Sequence, residues 1–173
     1  MENVVIEDYD PHWPELFQVE AARLRLWLGT SLRALEHIGS TSIPGLAAML
    51  IIDIQAVVSP LSALKSVAPK LEAEDWKQGI FALDPERRLY FKKYNAAGVR
   101  MYQLHIYEPN HPAGAAHLLF RDYLRAHQDE AQWYETLKRG IAERFRTDRL
   151  AYSYAKTEYV AGILRKADEQ KYG

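Results

Sequence analysis

Apolar positions along the chain follow two different periods, and the change between them near residue 110 separates a strand-rich part from a helical part. Asp10 and Pro11 read as the start of a helix, an N-cap followed by a first-turn proline. Leu16, Phe17, Glu20, Leu24 and Leu28 then keep a 3.6-residue period until Gly29 can end it. Val4 to Ile6 predicts a short edge strand. Leu32 to Ile38 alternates and predicts another, and Leu50 to Val58 is a nearly continuous β-branched run holding one charge, Asp53, as in a central strand. Leu61 to Ala73 predicts a helix. Arg88 to Tyr94 and Val99 to Tyr107 predict two strands, joined as a hairpin around Asn95-Ala96-Ala97-Gly98. Past Ala113 come three helical patterns, Ala115 to Ala126, Asp129 to Phe145 and Leu150 to Ala167, with apolar stripes that include Leu118, Tyr123, Leu137, Ile141, Tyr159 and Ile163.

Strands interleaved with helices and then a run of helices point to an α+β fold. With 173 residues and 48% hydrophobic composition, the chain fits one globular domain over 1–173, with a sheet-containing core at 1–110 and a helical part at 111–173. Twenty-two basic residues against 23 acidic ones argue against bulk binding to nucleic acid or acidic lipid, so any phosphate recognition has to be local. The longest apolar run, Leu46 to Ile52, is far short of a membrane span, and no basic flank with an apolar core opens the chain; a cytoplasmic protein is the expectation. The absence of cysteine removes disulfides and thiolate metal sites.

The chemistry concentrates at two places. His37-Ile38-Gly39-Ser40-Thr41-Ser42-Ile43-Pro44-Gly45 follows a strand with a turn rich in hydroxyls and backbone N–H groups, the elements of a phosphate-binding turn. The next strand carries Asp53 and Gln55 on one face. A carboxylate in a buried strand needs a partner; it either caps the preceding turn, meets an arginine, or serves a ligand. Alternation on the second strand of the hairpin puts Gln103, His105 and Tyr107 on one face, so that Asp53, Gln55, Gln103 and His105 line one cleft if the two strands are neighbours. Arg87, Arg88, Lys92, Lys93 and Arg100 give the middle segment a local basic excess, with Lys93 the candidate for phosphate pairing, while Arg121 and Lys156 are candidates to reach the cleft from the later helices.

HIGSTSIPGLAA, IIDI, YQLHIYE, LLFRDYLRAHQDEAQWYETLKR and AYSYAKTEYV, in this order, resemble the GrpB family over nearly the whole chain, from YDPHWPELF through Val160. The resemblance implies a nucleotidyltransferase-like fold, with a mixed sheet flanked by helices and a C-terminal helical cap. It also implies transfer of a nucleotidyl group from a nucleoside triphosphate to a small molecule, with Mg²⁺ as cofactor. Asp53 would then be the metal-binding and catalytic carboxylate and His105 a second catalytic residue. His37, Gly39, Ser40, Thr41, Ser42, Gln55, Gln103, Lys93, Arg121 and Lys156 would bind substrate or phosphate. The position where active relatives of the superfamily place a second carboxylate is Gln55. An alternative is a non-catalytic module of the same fold that binds a nucleotide or a coenzyme A precursor.

Overall fold

The computed structural model describes residues 3–79 and 89–172. Helix α1 (Trp13–Leu28) is followed by β1 (Leu32–Ile38), a 3-10 turn (Ser40–Ser42), β2 (Ile52–Val58), α2 (Leu64–Ala73), β3 (Trp76–Gly79), β4 (Leu89–Tyr94) and β5 (Arg100–Tyr107). Four helices complete the chain: α3 (Pro112–Ala126), α4 (Gln128–Arg144), α5 (Arg149–Ala155) and α6 (Thr157–Tyr172). The strands form one mixed sheet in the order β1-β2-β5-β4-β3, with β2 and β5 parallel and the other neighbours antiparallel.

The two faces of the sheet differ because its strands alternate. Ile52, Ile54, Ala56 and Val58 of β2, with Leu104 and Ile106 of β5, pack against Trp13, Phe17, Ala21 and Leu24 of α1 and against Leu64, Val67 and Leu71 of α2. This apolar layer is the main core. Asp53, Gln55, Gln103 and His105 point to the other face, where α3 covers part of the sheet. A smaller core joins the turn to the late helices through Ile43, Leu46, Leu124, Tyr134 and Ile163.

Several boundaries differ from the sequence reading. Residues 4–6 form no strand; Glu7 alone bridges to Ala48. Asp10 sits just before the cap, accepting from the His12 backbone N–H at 2.8 Å, while His12 occupies the N-cap position of α1. β3 is an additional edge strand, too short and mixed in its burial to carry a readable period. The stretch 150–167 is divided into α5 and α6, with Lys156 at the junction. Arg87 and Arg88 lie outside the described residues. No helix among the described residues is long and apolar enough to cross a membrane.

Candidate anion-binding cleft

The turn and β2 meet at a contact that only glycine permits. Gly39 has φ 71° and ψ −175°, a conformation reserved for glycine, and a Cβ there would lie 2.5 Å from Asp53 Oδ2. Ser42 Oγ donates to the Gly39 carbonyl at 2.6 Å, and Thr41 Oγ1 donates to the Ile51 carbonyl at 3.2 Å. From α3, the guanidinium of Arg125 donates from Nε and NH2 to the Ser42 carbonyl, at 3.0 and 2.7 Å. The turn is thus fixed from both sides before any ligand arrives.

Parallel pairing aligns Asp53 with Gln103 and Gln55 with His105, so all four side chains share one face. Gln103 Nε2 donates to Asp53 Oδ1, and Gln103 Oε1 accepts from the Tyr90 hydroxyl and, at 3.2 Å, from Arg100. His105 Nε2 lies 3.5 Å from the same Asp53 oxygen. Burial works to raise the pKa of Asp53, but its hydrogen bonds and charge interaction with His105, together with Gln103, outweigh it and keep the carboxyl below the usual range. Asp53 is therefore ionised, with 23% of its side chain exposed to the cleft.

The cleft has a volume of about 350 Å³ and is walled by Ile38 and Gly39, by Asp53, Gln103 and His105 of the sheet, and by His117, Tyr134, Arg149 and Lys156 of the helices. It continues into a recess of about 60 Å³ between the turn and helices α4 and α5, which shares Asp53, Arg149 and Lys156 with the cleft and adds Ser40, Thr41 and Lys138. Lys138 is buried, donates to the Ala47 carbonyl and lies 4.8 Å from the centre of the Tyr134 ring. Burial, aided by the charge of Lys156, pushes its pKa down to about 7. Lys156 lies 4.1 Å from the centre of the Tyr152 ring, and burial pushes it down to about 8 against the opposing pull of Asp53.

Five of the expected residues lie elsewhere or are turned inward. His37 pairs with Ile54, so it faces the apolar layer, where it stacks on Phe17 at 4.8 Å and contacts Thr41 Oγ1 through Nε2 at 3.0 Å. Burial pushes its pKa down to about 4, and it braces the turn from behind. Lys93 is also on the apolar face, bonded to buried Glu20 at 2.9 Å; the neighbouring Lys92 shares the face of Gln103. Gln55 is roofed by Gly114 of α3, and its Oε1 contacts His117 Nδ1 at 3.2 Å. The Ser42 hydroxyl is spent within the turn. Arg121 binds Glu36 at 2.9 Å and the His37 carbonyl at 3.0 Å, holding α3 to β1 outside the cleft. Gly39, Ser40, Thr41, Asp53, Gln103, His105 and Lys156 do share the cleft and its recess.

Lys138, Arg149 and His117 were not anticipated. Lys138 had a readable signal: Ala131, Tyr134, Lys138 and Ala142 fall on one buried stripe of α4, so a cation sits where the helical period asks for an apolar residue. Arg149 opens a helix and carries no such mark.

The chain that carries this cleft is similar to known proteins over nearly its whole length. The GrpB protein family model covers residues 3–166. The chain belongs to the GrpB family. It is 36% identical over 95% of its length to UPF0157 protein YqkA of Bacillus subtilis and 36% identical over 91% of its length to UPF0157 protein PA4798 of Pseudomonas aeruginosa, spanning 47% and 65% of those proteins. The GrpB crystal structure from Enterococcus faecalis superposes with a TM-score of 0.87 at 30% identity, covering 98% of this chain and 100% of that one. Beyond the family, the Cid1 poly(U) polymerase, in a structure bound to MgATP, shares the fold with a TM-score of 0.56 at 17% identity, over 87% of this chain and half of Cid1. The chain thus has the fold of the Enterococcus faecalis GrpB structure, which Cid1 shares.

The described residues do not fit the Mg²⁺ site that the sequence resemblance implies. Magnesium requires near-octahedral oxygen ligation, usually one or two carboxylates completed by water and substrate phosphates. Here Asp53 is the one carboxylate lining the cleft among the described residues, its Oδ1 is bonded to Gln103, and the ammonium of Lys156 shares the space. Gln55 is turned away under α3. Among the described residues no group of three or more His, Cys, Asp or Glu is placed to hold a metal.

Proposed function

We propose that this protein binds a small phosphorylated anion of the nucleotide or coenzyme A precursor class, and that its own cations supply the charge that metal ions supply in nucleotidyltransferases. The observation that carries this reading is the charge of the cleft: Lys138, Lys156 and Arg149 against the single carboxylate of Asp53 among the described residues. A phosphate gains from such fixed cations in a partly desolvated cavity far more than at an open surface. Asp53 and His105 then shape and orient the cleft. They do not assemble a metal centre among the described residues. The ligand class is supported by the shared fold and by a further relative of 29% identity named dephospho-CoA kinase, of which the chain spans 44%.

Thermal-shift titration with nucleotides and dephospho-coenzyme A, in EDTA and in Mg²⁺, tests the proposal. A ligand at 100 times its Kd stabilises by about 2.7 kcal/mol, which for a chain of this size raises Tm by roughly 5–11 °C. That shift is expected in EDTA and is unchanged by Mg²⁺. Asp53→Asn retains it, because the variant removes a like charge from the anion's surroundings. A shift that requires Mg²⁺, disappears in Asp53→Asn and is accompanied by pyrophosphate release overturns the binding reading in favour of a transferase.

A further inference from the structure

Lys138 presents the sharpest anomaly in the molecule. It is 1% exposed, yet it forms no ion pair with a carboxylate among the described residues. The groups around it are Lys156, which repels it, the ring of Tyr134, and Glu135 and Arg139 on its own helix. Glu135 is itself committed to the Ala47 N–H at 3.1 Å and to Arg139 at 3.0 Å. An ammonium has three donors, and the Ala47 carbonyl takes one. A buried cation whose neighbouring acid is engaged elsewhere costs several kcal/mol, an expense that a binding site explains and a structural role does not. Asp53 is the carboxylate that lines the recess, but it is already hydrogen-bonded to Gln103 and close to His105.

The size of the recess limits what the missing counter-charge can be. A water-sized position needs about 10–15 Å³, so the recess of about 60 Å³ offers roughly four to six such positions. The four oxygens of one tetrahedral phosphate occupy that space; the ten oxygens of a triphosphate exceed it and have to extend into the cleft. The adjoining cleft of about 350 Å³ can take an organic body attached to that phosphate. We propose that the recess walled by Ser40, Thr41, Lys138, Arg149 and Lys156 is a subsite for a single terminal phosphate, and that the ligand is a phosphomonoester whose organic body lies in the wider cleft. This rests on the phosphate-binding reading above and narrows it from phosphorylated molecules in general to monoesters.

A dianion placed between Lys138 and Lys156 favours their charged forms. Since burial holds them near 7 and 8 in the free protein, binding at pH 7.5 takes up protons, and affinity falls as pH rises from 7 towards 9. Arg149 stays charged over that range and Asp53 stays ionised, so neither reverses the trend.

The test is calorimetry on the full chain in EDTA at pH 7, with the four ribonucleoside 5′-monophosphates, their nucleosides and their triphosphates, and with inorganic phosphate followed by ³¹P NMR. Inorganic phosphate binds the wild type and competes with monophosphate; monophosphates bind at least tenfold more tightly than nucleosides or triphosphates. Lys138→Met loses tenfold or more of monophosphate affinity, and Lys156→Met, at the junction of α5 and α6 and away from α4, repeats the loss should Lys138→Met fail to fold. Monophosphate binding that both folded variants retain overturns the subsite and leaves the broader reading standing. Triphosphates preferred over monophosphates, with the preference lost in either variant, overturn the monoester class. No binding of any phosphorylated probe to the wild type overturns the broader reading itself.

Discussion

Replacing Gly39 with alanine probes the contact on which the cleft is built. Two costs arise. The backbone at φ 71°, ψ −175° belongs to a region other residues avoid, with a penalty of about 1–3 kcal/mol. The new Cβ would also stand 2.5 Å from Asp53 Oδ2 and 3.0 Å from Asp53 Cβ, so the strand residue and not merely a flexible tip must shift. Moving the carboxylate strains its bonds to Gln103 and His105, and bonds to a charged group are worth about 1.5–3 kcal/mol. The sum, about 2.5–6 kcal/mol, lowers Tm by roughly 5–24 °C for a chain of this size. Urea unfolding of the two single variants Gly39→Ala and Asp53→Gly, with their double variant, separates the costs. In the Asp53→Gly background the carboxylate and Cβ are gone, and Gly39→Ala should cost only the backbone share, about 1–3 kcal/mol. An equal cost in both backgrounds, or a cost below about 1 kcal/mol in the wild type, refutes the close approach of turn and carboxylate.

Glu20→Ala removes the acceptor of both Lys93 and the Trp76 indole N–H. It should destabilise by about 3–5 kcal/mol, the cost of a broken buried ion pair, without weakening anion affinity; chemical denaturation and calorimetry read the two effects. His37 titrates near 4 when folded and 6.5 when free, so its contribution is present above pH 6.5 and is lost as pH falls towards 4, about 3 kcal/mol in all. Unfolding measured at pH 7 and 4.5 should show that loss, and His37→Gln should flatten it. Lys138 is held near 7 against 10.5 when unfolded, so the unfolded chain binds the extra proton between those values and stability rises with pH across them. Lys138→Met should abolish that rise and stabilise the ligand-free protein at pH 7 by about 3 kcal/mol; an unchanged pH profile places the lysine in water.

How much of this was legible depends on the range of the interaction. The period of α1, the β-branched run of β2 and the alternation of β5 are local properties, and they brought Asp53, Gln103 and His105 to one face. The choice between Lys92 and Lys93 turned on the register of β4 against β5, which one residue of error inverts. Gln55 lost its place in the cleft to Gly114, a contact between residues far apart in the chain. The charge of the recess was hidden for the same reason: Lys138 looks like an ordinary helix-surface lysine until α4 is laid against the turn, although its position on the apolar stripe was a local warning.

The parallel pairing of β2 with β5 decides when the pocket can exist during synthesis. Antiparallel neighbours close through short connections, but Asp53 waits for Gln103, which leaves the ribosome 50 residues later. The lysines that face it follow on α4 and at the end of α5. No N-terminal fragment that ends before Lys156 contains all walls of the cavity, so under the reading proposed above phosphate affinity arises only once Lys156 has been added. A shorter fragment gains nothing from the ligand proposed above, whereas a chain extended past Lys156 is drawn towards its folded state by it. Where that ligand is scarce, the folded share of chains extended past Lys156 would fall without any change in the rate of translation.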